Sequence, residues 1–407
     1  MKRESFGSRL GFILVSAGCA IGIGNVWKFP YICGAYGGAA FILIYLLFLI
    51  ILGIPVLVCE FAVGRGSRKS VALSFDELQS KNGKWTPLKF IGIIGCYMLM
   101  MFYTTVGGWL MYYCYKGIRG SFVNASSDNI STQFTQMLTD VPTMLFWTIL
   151  ICVIGFAVCM FGLNNGIERV TKVMMTALIL IMVVLAIRSV TMTGAGEGIR
   201  FYLIPDFHKM VESGIGNVVF AALSQAFFTL SIGIGAMLIF GSYLDQSRSL
   251  TGEAVNIMLL DTFVALTAGF IIIPACFAYG IEPGAGPSLI FITLPNIFAQ
   301  MSGGRIWAFL FFLFLTFAAL STIIAVFENL VMFNMELLGW RRKKSVLVCA
   351  ALIIILSIPC VLGFNVWSGV QLLGEGSTIM DLEDFIVSNN LLPLGSLGYV
   401  LFCTRKH

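Results

Sequence analysis

The chain has 407 residues, 58% of them hydrophobic and only 11% charged, with a mean hydropathy of +0.93 and a formal charge of +5. No water-soluble domain of ordinary composition has that balance, which leaves a polytopic membrane protein. The eleven cysteines sit almost all in apolar runs without Cys-x-x-Cys spacing, and the two histidines are His208 and His407, so neither a disulfide framework nor a metal cluster is expected.

At about 20 apolar residues per crossing, ten spans are predicted. They lie near residues 11–36, 39–63, 88–116, 142–162, 168–190, 214–242, 253–280, 302–337, 345–364 and 382–403. The chain opens Met1-Lys2-Arg3-Glu4 and runs straight into the first span with no small-residue cleavage site, so that span is read as retained. Within it, Gly18-Cys19-Ala20-Ile21-Gly22-Ile23-Gly24-Asn25 places three glycines and an asparagine where a spanning helix should be unbroken. Backbone N–H and C=O groups cannot stay unpaired in hydrocarbon, so such an interruption is tolerable only where it lines a cavity or binds something. The polar stretch Gly64 to Lys89 is expected to hold a short surface helix. The sixth span repeats the interruption at Thr229-Leu230-Ser231-Ile232-Gly233-Ile234-Gly235. Gly280 to Arg305 has the mixed pattern of a hairpin lid or of an amphipathic loop.

Two breaks in corresponding halves point to a transporter binding site. Five spans separate the starts of the broken segments, and an odd number inverts the second copy. The expected fold is therefore all-α, a single transmembrane transporter domain of ten helices. Its two inverted five-helix repeats cover about 1–200 and 201–407, with helices 1 and 6 unwound at mid-membrane. With the N-terminus inside, eighteen of the 25 basic residues fall on the cytoplasmic side, among them Arg65, Arg68, Lys69 and the run Arg341 to Lys344. That asymmetry follows the positive-inside rule and predicts two cytoplasmic termini. The positive charge thus reports topology and attraction to the inner leaflet of the lipid bilayer, not nucleic-acid binding.

An unwound helix frees carbonyls at one broken end and N–H groups at the other, so one break can hold a cation and an anion together. A zwitterionic amino acid travelling with a metal cation needs that combination. Hard cations want several oxygens, and Asn25, Thr229, Asp261, Ser321 and Thr322 supply them at membrane depth. Asp261 is the most informative, because a carboxylate in a span costs on the order of 3 kcal/mol. Glu60 and Glu328 raise the same question, with network and transport roles both open.

The run Arg9-Leu10-Gly11-Phe12 through Gly24-Asn25-Val26-Trp27-Lys28-Phe29-Pro30 closely resembles the neurotransmitter:sodium symporters, in their bacterial amino-acid transporter branch. So do Gly37-Gly38-Ala39-Ala40-Phe41, Glu60-Phe61-Ala62-Val63-Gly64-Arg65, Gln225-Ala226-Phe227-Phe228-Thr229-Leu230-Ser231 and Ile292-Thr293-Leu294-Pro295. The resemblance implies a multi-pass protein of the plasma (inner) membrane with two sodium sites and no organic cofactor. The first would use the carbonyls of Ala20 and Thr229 with the side chains of Asn25, Thr229 and Asp261. The second would use the carbonyls of Gly18, Ile21 and Ala318 with the hydroxyls of Ser321 and Thr322. The substrate carboxylate would meet the N–H groups of Ile23 and Gly24 and the Tyr103 hydroxyl. Its ammonium would face the carbonyls of Ala20, Phe228 and Thr229 and the Ser231 hydroxyl. Leu99, Tyr103, Phe228, Ile234, Thr322 and Val326 would line the side-chain pocket. Phe228, Tyr103 and the pair Lys28 and Asp384 would gate it from outside, and Arg3 with Glu336 from inside.

Departures from the family pattern shape the expectation further. Asp261 replaces the asparagine of chloride-dependent members and Ala265 stands where they usually have serine, which implies chloride-independent transport. Lys28 replaces a common arginine and does not reproduce its bidentate fork. The sequence ends after the tenth helix, where relatives usually have eleven or twelve, which leaves the oligomeric state open. The pocket has no unpaired charge at Leu99, Ile234 or Val326, which favours a neutral, hydrophobic or aromatic L-amino acid, imported with sodium by alternating access. A transport-inactive amino-acid sensor or complex subunit of the same fold is an alternative, as is a proton-coupled transporter. No Ser/His/Asp, Cys/His or metal-ligand constellation supports an enzyme.

Overall fold

The computed structural model describes residues 6–281, 283 and 288–405, and among them every regular element is a helix. The first apolar stretch forms α1 (Arg9–Ala20) and α2 (Gly24–Ala35), which meet at 56°. Helix α1 begins at Ser8, whose side chain accepts from the Gly11 N–H, and ends because Ile21 turns extended with ψ of 91°. A π-helical turn, Gly24–Lys28, opens α2. Next come α3 (Ala39–Ser67), α4 (Leu88–Arg119), α5 (Val141–Met160) and α6 (Leu163–Val190). The second interrupted stretch gives α7 (Ile215–Thr229) and α8 (Leu238–Tyr243), with Leu230–Met237 between them outside any regular helix. The chain continues through α9 (Leu250–Ala278), α10 (Leu289–Gln300), α11 (Gly304–Leu337), α12 (Arg342–Leu362) and α13 (Ile379–Thr404).

Among the described residues, eight helices are long and apolar enough to cross a membrane, and the bent pair α1 and α2 makes a ninth if counted as one span. Helices α7 and α8, of 15 and 6 residues, are each too short to cross alone. A count of ten therefore depends on reading them as one interrupted crossing. The short helix expected between Gly64 and Lys89 is Val71–Leu78. In the expected lid, Glu282 and Gly284–Pro287 lie outside the described residues; α10 follows them and buries Leu294, Pro295, Ile297 and Phe298.

Helix α11 is the axis of the bundle, with every residue from Ala318 to Phe333 buried. It packs along α4, where small residues permit close approach: a Cβ on Gly117 would lie 3.0 Å from the Phe309 backbone. Helix α8 lies backbone against backbone on α3, because a Cβ on Gly241 would stand 2.7 Å from Phe61 Cα and 2.8 Å from its carbonyl oxygen. The second break is thereby held against α3. Gly241→Leu should push these helices apart and destabilise the protein by about 1–3 kcal/mol. Thermal unfolding in detergent measures this, and an unchanged melting temperature would contradict the close packing.

Candidate functional site

Both breaks meet at α11. The carbonyls of Gly18 and Cys19, near the end of α1, accept from the Thr322 hydroxyl at 3.3 and 3.1 Å, and the Ile21 carbonyl lies 3.4 Å from both the Thr322 and the Ser321 hydroxyls. Ser321 also donates to the Ala318 carbonyl at 2.9 Å. Five oxygens expected together from the resemblance, those of Gly18, Ile21, Ala318, Ser321 and Thr322, thus converge where α1 stops.

A second polar cluster lies on the other side of the break. Asn25 donates through Nδ2 to the Asp261 carboxylate at 2.8 Å and to its carbonyl at 3.2 Å, while its Oδ1 accepts from the Gly22 N–H at 3.3 Å. Thr229, the last residue of α7, donates to the other Asp261 oxygen at 3.0 Å. Asn25, Thr229 and Asp261 are all fully buried. The Asp261 carboxylate therefore sits between the two broken spans, with a donor from each.

Between the clusters lies a small cavity of about 10 Å³, bordered by Ala20, Gly22, Gly24, Leu99, Tyr103, Phe228, Ser231, Ile234, Thr322 and Leu392. Tyr103 accepts from the Ile23 N–H at 2.8 Å, and Ser231 donates to the Cys19 carbonyl at 3.1 Å. Ser231 adopts a φ of 51°, a region that costs a non-glycine residue about 1–3 kcal/mol. Over the cavity, Lys28 Nζ stands 4.4 Å from the centre of the Phe228 ring and 2.9 and 3.1 Å from the two Asp384 oxygens. A single ammonium is thus shared between both carboxylate oxygens and an aromatic face.

The remaining sequence-derived positions fall elsewhere. Val326 is buried in α11 but does not border the cavity. Glu336 accepts from the backbone N–H of Ser70 at 2.9 Å and from its hydroxyl at 2.7 Å, while Arg3 lies outside the described residues. At the same end of the molecule Glu168 accepts from the Gly7 N–H, the Ser8 hydroxyl and Lys172, and Arg9 pairs with Glu253. Sequence reasoning singles out neither these two acidic residues nor Leu392. Glu168 and Glu253 are open to detection as carboxylates at the edges of apolar runs, but Leu392 carries no such mark.

The freed backbone of the breaks is satisfied by side chains. Glu60 accepts from the N–H groups of Gly233 and Leu238, Gln225 donates to the Gly24 carbonyl at 2.8 Å, and Asn329 to the Gly235 carbonyl at 2.8 Å.

A model of the Sodium:neurotransmitter symporter family matches residues 3–133 and 122–375. The chain belongs to this family. An uncharacterised sodium-dependent transporter of Bacillus subtilis, YhdH, is 36% identical over 100% of this chain and 88% of its own length. An uncharacterised sodium-dependent transporter of Haemophilus influenzae is 34% identical over 98% and 89%. The crystal structure of MhsT in complex with L-phenylalanine matches with a TM-score of 0.91 and 37% identity, covering 98% of this chain and 90% of that one. The symporter is therefore a multi-pass, sodium-coupled membrane transporter and not an enzyme.

Each buried N–H left without an acceptor costs about 1–3 kcal/mol. Glu60→Ala, which leaves both N–H groups without an acceptor, should accordingly lower thermal stability by more than Glu60→Gln, which keeps one carbonyl acceptor, the difference being about one such cost. Equal melting temperatures for the two variants would show that Glu60 does not hold the second break.

Proposed function

We propose that this symporter imports a neutral, hydrophobic or aromatic L-amino acid with sodium, independently of chloride, by alternating access. The observation that carries the reading is the presence, at the broken spans, of two oxygen clusters and a cavity with one polar and one aliphatic end. Gly18, Ile21, Ala318, Ser321 and Thr322 form one proposed sodium site. Asn25, Thr229, Asp261 and the Ala20 carbonyl form the other, completed by the substrate carboxylate. Oxygen-only shells of this kind suit a hard monovalent cation. In this reading, the carboxylate is held by the Ile23 and Gly24 N–H groups and Tyr103, and the ammonium by backbone carbonyls at Ala20, Phe228 and Thr229 with Ser231. The substrate side chain lies against Leu99, Phe228 and Ile234, none of which is charged. The phenylalanine bound in MhsT supports that choice of substrate class.

Chloride independence rests on Asp261. Its carboxylate supplies a fixed negative charge beside the first sodium site. We take α7, the Leu230–Met237 segment and α8 as one interrupted crossing, which gives a single domain of ten spans. Its inverted repeats are about 1–200 and 201–407, and both termini lie on the cytoplasmic side of the plasma (inner) membrane. Lys28, Asp384, Phe228 and Tyr103 then form the outer gate, and Arg3 and Glu336 the inner one. Each sodium ion carried inward contributes its concentration ratio plus about 2.3 kcal/mol per 100 mV of potential.

Purified protein in proteoliposomes should take up phenylalanine or leucine when a sodium gradient is imposed. Replacing chloride by gluconate on both faces should leave the rate unchanged. Binding without uptake would identify a sensor, uptake driven by a proton gradient without sodium would identify a proton-coupled carrier, and loss of uptake without chloride would remove the proposed role of Asp261 as the fixed anion. Asp261→Ala should abolish sodium-dependent binding, and normal sodium affinity in that variant would exclude Asp261 from the site.

A further inference from the structure

We propose that Leu392, in α13, sets the size of the substrate side chain that the cavity accepts; the inference rests on the amino-acid reading above. The cavity has two unlike ends. Ala20, Gly22, Gly24, Tyr103, Ser231 and Thr322 surround one with backbone and hydroxyl groups, and the other is walled by the aliphatic side chains of Leu99, Ile234 and Leu392. With a volume of about 10 Å³, the space is close to that of one water molecule, so a bound side chain must displace wall atoms.

The three wall residues are all buried but are placed differently. Ile234 is held against α4 by backbone and side chain: its carbonyl accepts from the Cys96 thiol at 3.5 Å, and its side chain fills the place that a Cβ on Gly95 would occupy. Leu99 projects from the long helix α4, with only 5% of its surface exposed. Leu392 is different, because the π-helical segment Val387–Leu391 ends immediately before it. A π turn adds one residue to the helix and so rotates the next turn by about 100°. That rotation helps aim Leu392 inward from a span whose Leu394 and Leu397 are exposed.

The backbone at Leu392 is pinned. Gly233, at a φ of 100°, lies so close that a Cβ there would overlap the Leu392 carbonyl, and a Cβ on Gly395 would overlap the Gly233 carbonyl. Only the isobutyl group is left to adjust. One turn earlier, Ser388 donates to Asp384 at 2.6 Å and lies 3.4 Å from Lys28 Nζ. The same segment therefore borders the substrate side chain and carries a residue of the proposed outer gate, while Leu392 bonds to none of the oxygens assigned to sodium.

The test is competition by alanine, valine, leucine, phenylalanine and tryptophan against sodium-dependent binding of labelled substrate to the full chain. Leu392→Ala should shift the ratio of tryptophan to valine affinity upward by about tenfold or more, and Leu392→Phe should shift it downward, the range expected for changing methylenes in an apolar pocket. Sodium affinity measured without substrate should stay within about twofold of wild type in both, because coupling to the substrate carboxylate acts only when substrate is bound. Leu392→Val carries the same test as Leu392→Ala, with a smaller shift of the same sign, if the larger change prevents folding, and the volume-conserving Leu392→Met should leave the order within about twofold of wild type. A selectivity order that Leu392→Ala, Leu392→Val and Leu392→Phe all leave within about twofold of wild type overturns the assignment of Leu392 while the amino-acid reading stands. Absence of sodium-dependent amino-acid binding by the wild-type protein overturns that reading, and this inference with it.

Discussion

The structure depends on one constraint, that backbone groups released by two interrupted spans must find partners without water. The partners fall into two kinds. Glu60, Gln225 and Asn329 are buried away from the cavity wall and hold the breaks open from behind. Tyr103, Ser231 and Thr322 border the cavity and bond to Ile23, Cys19 and Gly18 respectively. Only the second kind can exchange those bonds for bonds to a substrate or an ion. On the proposed reading, binding substitutes one set of partners for another, so the cost of leaving a polar group unpaired arises on neither side of the exchange.

On the proposed reading, the same arrangement lets α1 move against α2. Its Arg9 end is held by Glu168 and Glu253, both nearly fully buried, whereas α2 is tied at Lys28 to Asp384, a pair about a quarter to a third exposed. A pair that accessible contributes about 0–1 kcal/mol, less than a buried carboxylate holding three donors. The two ends are fastened by separate contacts and joined through a break, so either can be released while the other stays fixed. Alternating access requires that independence.

Much of this is legible in the sequence because membrane-depth polarity is expensive and therefore informative. Gly18, Gly22 and Gly24 announce the first break, Ser231, Gly233 and Gly235 the second, and Asp261 the polar cluster. The structure brings those residues together. What the sequence hides is orientation that depends on non-α turns. Leu392 is one leucine among many on an apolar span, and a reading at 3.6 residues per turn has no means of finding the π segment at Val387–Leu391. Val326 shows the converse, since its register in the family motif expects it at the pocket but the helix buries it beyond the cavity wall. Helices α7 and α8 read as one span because the apolar run is continuous, although neither is long enough alone.

Ser231 joins the two breaks at a cost. Its left-handed backbone is unfavourable for any residue with a Cβ, and a glycine there would relieve it. Glycine would also remove the hydroxyl that donates to the Cys19 carbonyl, the one described side-chain bond that runs directly from the second break to the end of α1. The strain and the bond come as a pair: a residue with a hydroxyl is needed to join the breaks, and the join holds the backbone where that residue is uncomfortable. Ser231 is thus one of three described links between the broken spans, beside Asp261, which accepts from Asn25 and Thr229, and Gln225, which donates to the Gly24 carbonyl, and it is the one with a left-handed backbone.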